Sequence, residues 1–264
     1  YNSTTGYNGI WERVYTLGRS DGMKFTFEME ITKDGTKILA SLPGYDGAVQ
    51  HDSVGRLETY EIIQTTNTDI SSNIFDSSYS IFDIEKVIDI DNYKTRFGYC
   101  VEISNDGKIM AVSAPWSTPS NVSGYNRGVI TTYELIDGSW KQKGNIIYGS
   151  NENRDYMGKS LALSGNGLIL AIGSPDTPYN GQHPGETKVY RWDNGWTQMG
   201  STIEGDWPNI GDIDAGWSVS LSASGLILAV GSPKFYASHP GSQGRLNVYE
   251  FKDNVWVNMP GSPM

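Results

Sequence analysis

The chain has a single cysteine, Cys100, in 264 residues, so no disulfide can form within it and its stability must come from a hydrophobic core. Cys100 falls on an apolar-alternating stretch with no histidine near it in sequence, which reads as a small buried thiol rather than a nucleophile. Charge is sparse, at 19% of residues, and basic side chains are the scarcer kind: 20 Lys and Arg stand against 30 Asp and Glu, for a net charge of −10. Such an acidic chain is a poor partner for nucleic acid or for anionic membrane surfaces, and suits neutral glycans, basic protein surfaces or cations. No stretch approaches the roughly eighteen apolar residues that a membrane-spanning helix needs, so no membrane insertion is expected. The chain starts at Tyr1 without a signal peptide of its own, as would be expected of a segment cut from a longer precursor. Also missing are the G-x-S-x-G elbow, H-E-x-x-H and the phosphate-binding G-x-x-x-x-G-K, so nothing in the motifs points to an enzyme.

What is plentiful is glycine (31) and tyrosine (16), with a hydrophobic content of 38%, a turn-rich and aromatic-rich β composition. It is organised by repetition. MGKSLALSGNGLILAIGSP from Met157 recurs as AGWSVSLSASGLILAVGSP from Ala215, as FGYCVEISNDGKIMAVSAP from Phe97, and in worn form as FTFEMEITKDGTKILASLP from Phe25. A turn glycine precedes a proline by eight residues in every copy: Gly35 and Pro43, Gly107 and Pro115, Gly167 and Pro175, Gly225 and Pro233. After a loop of variable length, a glycine precedes a tyrosine by five: Gly55 and Tyr60, Gly128 and Tyr133, Gly185 and Tyr190, Gly244 and Tyr249. The turn glycines lie 72, 60 and 58 residues apart, a period that suits a unit of several strands.

Within each unit, stretches such as Leu161-Ala162-Leu163-Ser164 and Val219-Ser220-Leu221-Ser222 alternate with period two. A tight glycine turn then leads into a continuous apolar run, such as Leu226 to Val230, which predicts a hairpin of one half-buried and one buried strand. Asn105-Asp106-Gly107 and Gly165-Asn166-Gly167 supply the residues that tolerate positive φ in such turns. The proline has no N–H to give and closes the second strand. A third strand follows, as in GRLNVYEF from Gly244, and a fourth begins with Trp140, Trp196 or Trp256. Four antiparallel strands in about sixty residues describe one blade of a β-propeller, and because a lone blade cannot bury both faces, the blades must stack. The fold class is therefore all-β, a single propeller domain over residues 1–264, with four blades at about 22–90, 91–150, 151–209 and 210–264. Residues 1–21, with Trp11, read as the fourth strand of a blade whose first three strands are absent: either part of a missing neighbour in a larger propeller, which is favoured, or a strand at the closing seam. In the divergent first blade the fourth strand is expected at Ile84 to Ile90, after a polar excursion loop from Gln64 to Ser80.

Phe97-Gly98 with Ser113-Ala114-Pro115, Met157-Gly158 with Gly173-Ser174-Pro175, and Ala215-Gly216 with Gly231-Ser232-Pro233, each followed by G-x-x-x-x-Y, resemble the FG-GAP repeats of integrin α-subunit propellers and related surface proteins. The resemblance is closest to the subgroup whose blades end in a tryptophan strand, as in SWKQKGNIIYG and GWTQMGSTIEG. It implies a propeller, often seven-bladed, used outside the cell for adhesion and recognition. Integrin-type blades hold calcium in the turn between the first two strands through several acidic ligands. The present turns carry only Asp34, Asp106, Asn166 and Ser224 beside the glycine, too few oxygens for calcium, so no metal and no cofactor is expected.

Loops between the second and third strands and loops between blades should emerge on one face. They concentrate Trp116, Tyr125, Tyr156, Tyr179, Trp207, Phe235 and Tyr236 among Asp, Asn and Glu. Flat aromatic faces beside polar forks suit sugar rings and protein hot spots. His51, His183 and His239 fall in equivalent loops; His183 and His239 share H-P-G, which fits a turn role better than a metal site and leaves them as ligand-binding candidates on this face. Asp212 and Asp214 could serve glycoside chemistry only with a partner carboxylate across a cleft. The sequons Asn2-Ser3-Thr4 and Asn121-Val122-Ser123 fit an extracellular setting. The reading is of a non-enzymatic extracellular or surface module that binds a glycan or a protein through its loops. A structural or assembly subunit of a filament or virion, with self-assembly, is the alternative, and a carbohydrate-active enzyme the third.

Overall fold

The computed structural model describes residues 28–43, 55–61, 96–118, 126–149, 155–175, 184–205, 212–235 and 243–260. Among them every regular element is a strand. β1 (Met29–Ile31), β2 (Lys37–Leu42) and β3 (Arg56–Glu61) form one antiparallel sheet in that order. β4 (Val101–Ile103), β5 (Ile109–Ala114), β6 (Val129–Ile136) and β7 (Ser139–Gln142) form the second, with the short β8 (Ile147–Tyr148) also paired to β6. The third runs β9 (Ser160–Leu163), β10 (Ile169–Ser174), β11 (Glu186–Trp192) and β12 (Trp196–Gln198), with β13 (Ile203–Glu204) on β11. In the fourth, β14 (Asp212–Ile213) and β15 (Ser218–Leu221) both pair with β16 (Ile227–Phe235), followed by β17 (Gln243–Lys252) and β18 (Val255–Asn258). The expected outer strand in 1–21, the Gln64 to Ser80 loop, the strand at Ile84 to Ile90 and both sequons lie outside the described residues.

The repeated columns are register positions. The tyrosine of each G-x-x-x-x-Y string pairs with the residue three after the turn glycine: Ile38↔Tyr60, Met110↔Tyr133, Leu170↔Tyr190 and Leu228↔Tyr249. The turn glycines take φ between 66° and 73°, the left-handed region where a glycine costs nothing. A hydroxyl braces each turn. Ser104 Oγ donates to Asp106 Oδ1 at 2.6 Å and accepts the Ile109 N–H at 2.9 Å, and Ser164 does the same with Asn166 and Ile169. Thr32 with Asp34 and Ser222 with Ser224 repeat the device. In these turns the acid therefore braces the hairpin, and hydrogen bonding holds the exposed Asp34 carboxyl down at about 2.

Period-two alternation sends opposite faces of one strand into different cores. Met110 and Val112 pack toward the first sheet with Leu39, Leu57, Phe97 and Tyr133, whereas Ile109 and Ala111 pack toward the third with Ile130, Met157, Leu161 and Ile172. A third core joins Ala162, Ile169, Ala171 and Val189 to Leu228 and Val230. The sheets are thus stacked face to face in chain order, with β1, β4, β9 and β15 side by side along one edge of the stack. β9 departs from the half-buried expectation: all of it is buried, whereas β15, with the same alternation, is exposed or half-buried throughout. β9 lies between β4 and β15; β15 has a sheet on one side only among the described residues.

Two devices close the seams. The glycines that open the third strands, Gly55, Gly128 and Gly185, lie so close to the backbone of Phe97, Met157 and Ala215 on the next sheet that a Cβ would overlap it. The tryptophan strands reach the other way. Trp196 donates from its indole to Thr132 Oγ1 at 2.7 Å on the preceding sheet, and Trp256 donates to the Met199 carbonyl at 2.9 Å.

Candidate functional site

The chain enters the second, third and fourth sheets through the tetrapeptides Arg96-Phe97-Gly98-Tyr99, Tyr156-Met157-Gly158-Lys159 and Asp214-Ala215-Gly216-Trp217. In each, the first residue is left-handed, with φ of 49°, 47° and 67°, and so is the glycine, at 80°, 91° and 84°. This backbone buries the second residue: Phe97, Met157 and Ala215 are 4% exposed or less. The flanking positions vary. Arg96 and Trp217 are exposed, Tyr99, Tyr156 and Lys159 half-buried, and Asp214 fully buried. Left-handed φ at arginine and tyrosine is uncommon; parallel bridges from Gly55 to Phe97 and Gly185 to Ala215, and the Met157 N–H bond to the Arg127 carbonyl, hold the turns in place.

Trp116, in the connection between β5 and β6, meets these turns. Its ring lies 4.8 Å from that of Tyr99 and 5.8 Å from that of Tyr156, both edge-on, which is favourable for aromatic quadrupoles. Asn126, left-handed at φ 55°, donates from Nδ2 to the Tyr156 hydroxyl at 3.2 Å. Two cations share the Trp116 indole: Arg96 Cζ and Lys159 Nζ each lie 4.5 Å from its centre. The Lys159 ammonium is also 5.2 Å from Tyr99, 5.6 Å from Tyr156 and 6.0 Å from Trp217. Burial, with the positive charge of Arg96 beside it, lowers the Lys159 pKa, while Asp214 and Cys100 act to raise it.

Below this cluster the inner strands carry carboxylates. Glu28 accepts the Val101 N–H on β4 at 2.8 Å, and Glu102 accepts the Leu163 N–H on β9 at 3.4 Å, so each acid covers an edge N–H of the next inner strand. Burial pushes the Glu102 carboxyl up to about 8, and repulsion from Glu30 and Glu28 adds to it. Glu28 and Glu30 are raised as well, chiefly by burial. Cys100 is free and buried, its thiol 3.6 Å from Glu28 Oε1, and burial raises its pKa far out of the reactive range. Among the described residues no group of three or more His, Cys, Asp and Glu is placed to hold a metal ion.

Of the residues the sequence nominates, Trp116 and Tyr156 are brought together. Phe235 ends β16, with its side chain outside the described residues, as are Tyr125, Tyr179, His183, Trp207, Tyr236, His239 and His51. Asp214 is buried, and the side chain of Asp212 is outside the described residues. Arg96, Tyr99, Lys159 and Trp217 are not nominated by the sequence; they occupy the two columns flanking the repeated Phe/Met/Ala-Gly pair, where residue type does not repeat.

No protein-family profile and no curated protein sequence matches the chain. Solved structures do resemble it. The periplasmic gluconolactonase of Pseudomonas aeruginosa superposes with a TM-score of 0.50 at 13% identity, over 95% of this chain and 60% of that one. The WD40 repeats of RRP9 superpose with a TM-score of 0.50 at 13% identity, over 93% of this chain and 54% of that one. The chain thus spans little more than half the length of these structures. At this identity the likeness carries the fold alone: an all-β stack of antiparallel sheets of the propeller type.

Proposed function

We propose that the chain is a non-enzymatic recognition module that binds a saccharide through the aromatic cluster at Trp116. The observation that carries this is the convergence of four rings, Tyr99, Trp116, Tyr156 and Trp217, from three separate sheet entrances and one strand connection around a single ammonium. A sugar offers C–H faces for stacking and hydroxyls for neighbouring hydrogen-bonding groups, and a half-open aromatic surface rimmed by Arg96 and Asn126 supplies both. The proposal includes an FG-GAP-type propeller at a cell or virion surface, its four described sheets part of a larger ring, with adhesion as the biological setting. The repeated Phe97-Gly98, Met157-Gly158 and Ala215-Gly216 turns support it.

A second reading, assembly into a larger structure, is favoured by the ends of the stack. On the fourth sheet Val255 and Val257 are each 48% exposed and Leu226 42%, and on β1 Met29 is 59% and Ile31 57% exposed. Leu246 is 36% exposed, yet its counterparts two residues after Gly55 and Gly128, Leu57 and Ile130, are fully buried against a following sheet.

A glycan array probed with this chain, with and without a chelator, separates the two readings. Saturable binding that Trp116→Ala abolishes and the chelator leaves intact supports recognition. Silence across the array, with concentration-dependent self-association in sedimentation, supports assembly and ends the saccharide reading.

A further inference from the structure

The recognition reading leaves the class of saccharide open, and this inference rests on that reading. Arg96 and Lys159 share one indole, and among the described residues neither makes an ion pair; the ion pairs there join Lys143 to Glu134 and Lys188 to Glu186, so the Glu186 carboxylate, on the strand whose backbone meets Gly216, is already held by Lys188. The acids beside the cluster are buried or hydrogen-bonded, among them Asp155, which precedes Tyr156 and is 6% exposed. Asp214 is fully buried at the entrance to the fourth sheet, and Glu28 is engaged by the Val101 N–H and the Cys100 thiol. The solvent side therefore presents an exposed guanidinium and a half-buried ammonium on a chain whose net charge is −10.

A saccharide that reaches Trp116 meets these two cations first. A neutral sugar would give them hydroxyl acceptors; an anionic substituent would give charge-assisted hydrogen bonds, which are shorter and about twice as strong. A cationic ligand would be repelled by both. The Lys159 ammonium, which has lost water to the surrounding rings, gains most from an anion, because a partly desolvated charge is screened least. Exposed Trp217, 47% open, extends the aromatic surface beside it. From this arrangement we infer that the site takes an anionic saccharide, its ring against Trp116 and Trp217 and its carboxylate or sulfate ester on Arg96 and Lys159.

Titration calorimetry on the whole chain tests this with three oligosaccharides of equal length: a uronic-acid oligomer, a sulfated oligomer and a neutral one, each at low and at physiological salt. The expected result is that an acidic probe binds about tenfold or more tighter than the neutral probe, with an advantage that shrinks as salt rises. The carboxylate and sulfate arms show which anion is preferred. Arg96→Asn keeps a residue that tolerates the left-handed φ, and Lys159→Met keeps an unbranched apolar stem among the rings; each should bring the acidic probe down toward the affinity of the neutral one. Urea midpoints of both variants separate this from misfolding. Equal or tighter binding of the neutral probe, or an acidic advantage that survives both substitutions, overturns the anionic assignment while leaving saccharide recognition standing. Binding of none of the three overturns both.

Discussion

Replacing Gly128 with alanine tests whether the repeated glycine before each third strand is a seam residue. Gly128 sits at φ +86°, and a Cβ there would overlap the backbone oxygen of Met157 and approach its nitrogen to 2.7 Å. Holding alanine in the left-handed region costs about 1–2 kcal/mol. Forcing two backbones apart in a packed seam adds about 1–3 kcal/mol, since no side chain is available to swing away. The expected loss is therefore about 2–5 kcal/mol. Two controls divide it. Gly138 is equally left-handed, at φ +75°, with nothing within 4 Å of its Cβ, so Gly138→Ala should cost only the backbone share of about 1–2 kcal/mol. Gly244 occupies the same repeat column as Gly128 but lacks a described sheet beyond it; its Cβ would meet Ser232 O at 3.6 Å, an ordinary contact, and Gly244→Ala should fall within about 0.5 kcal/mol of the parent. Urea unfolding gives all three as midpoint shifts at constant slope. Should Gly128→Ala prove no costlier than Gly138→Ala, or Gly244→Ala as costly as Gly128→Ala, the glycine column would be a matter of strand entry and not of stacking.

Trp196→Phe removes the 2.7 Å bond to Thr132 while keeping most of the ring, and should cost about 1–2 kcal/mol, against about 3–5 kcal/mol for Trp196→Ala; thermal unfolding of the pair shows whether the indole N–H contributes separately from its volume. The Glu102 carboxyl is raised from 4.5 to about 8 in the folded protein. The folded state therefore holds a proton that the unfolded chain releases, and the stabilisation is complete below about pH 4.5 and lost as pH climbs through 8. Glu102→Gln should flatten part of that decline in urea midpoints measured across the window, with the raised carboxyls of Glu28, Glu30 and Glu186 contributing to what is left; an unchanged slope would show that Glu102 ionises freely.

The turns, the tyrosine register and the tryptophan strands were legible in the sequence because each is a column repeated at fixed offset, and alternation assigned the strands between them. Burial was less so: Leu161 and Val219 share one pattern, and only their neighbours make the first buried and the second half-open. The candidate site was half legible. Trp116 and Tyr156 stood out as loop aromatics, and their convergence follows from the propeller expectation that both kinds of loop share a face. Tyr99, Lys159 and Trp217 occupy a single column, but its chemistry changes from ring to cation to ring, so residue type gives no repeat there. The rings and the ammonium acquire meaning only when the sheets bring both rings within about 6 Å of the Lys159 ammonium, the range at which a ring still holds a cation.

Trp116 and Trp217 lie at the proposed recognition face, whereas Trp196 and Trp256 lie in seams with their indole N–H groups already bonded within the fold. The most direct test is nuclear magnetic resonance of the indole N–H signals, assigned by single Trp→Phe substitutions, while an oligosaccharide retained on the array is titrated in. Shifts confined to Trp116 and Trp217, saturating with the calorimetric affinity, are the predicted result. Saturating shifts at Trp196 or Trp256 with Trp116 unmoved would contradict the account, because they would put the ligand between sheets and not on the face.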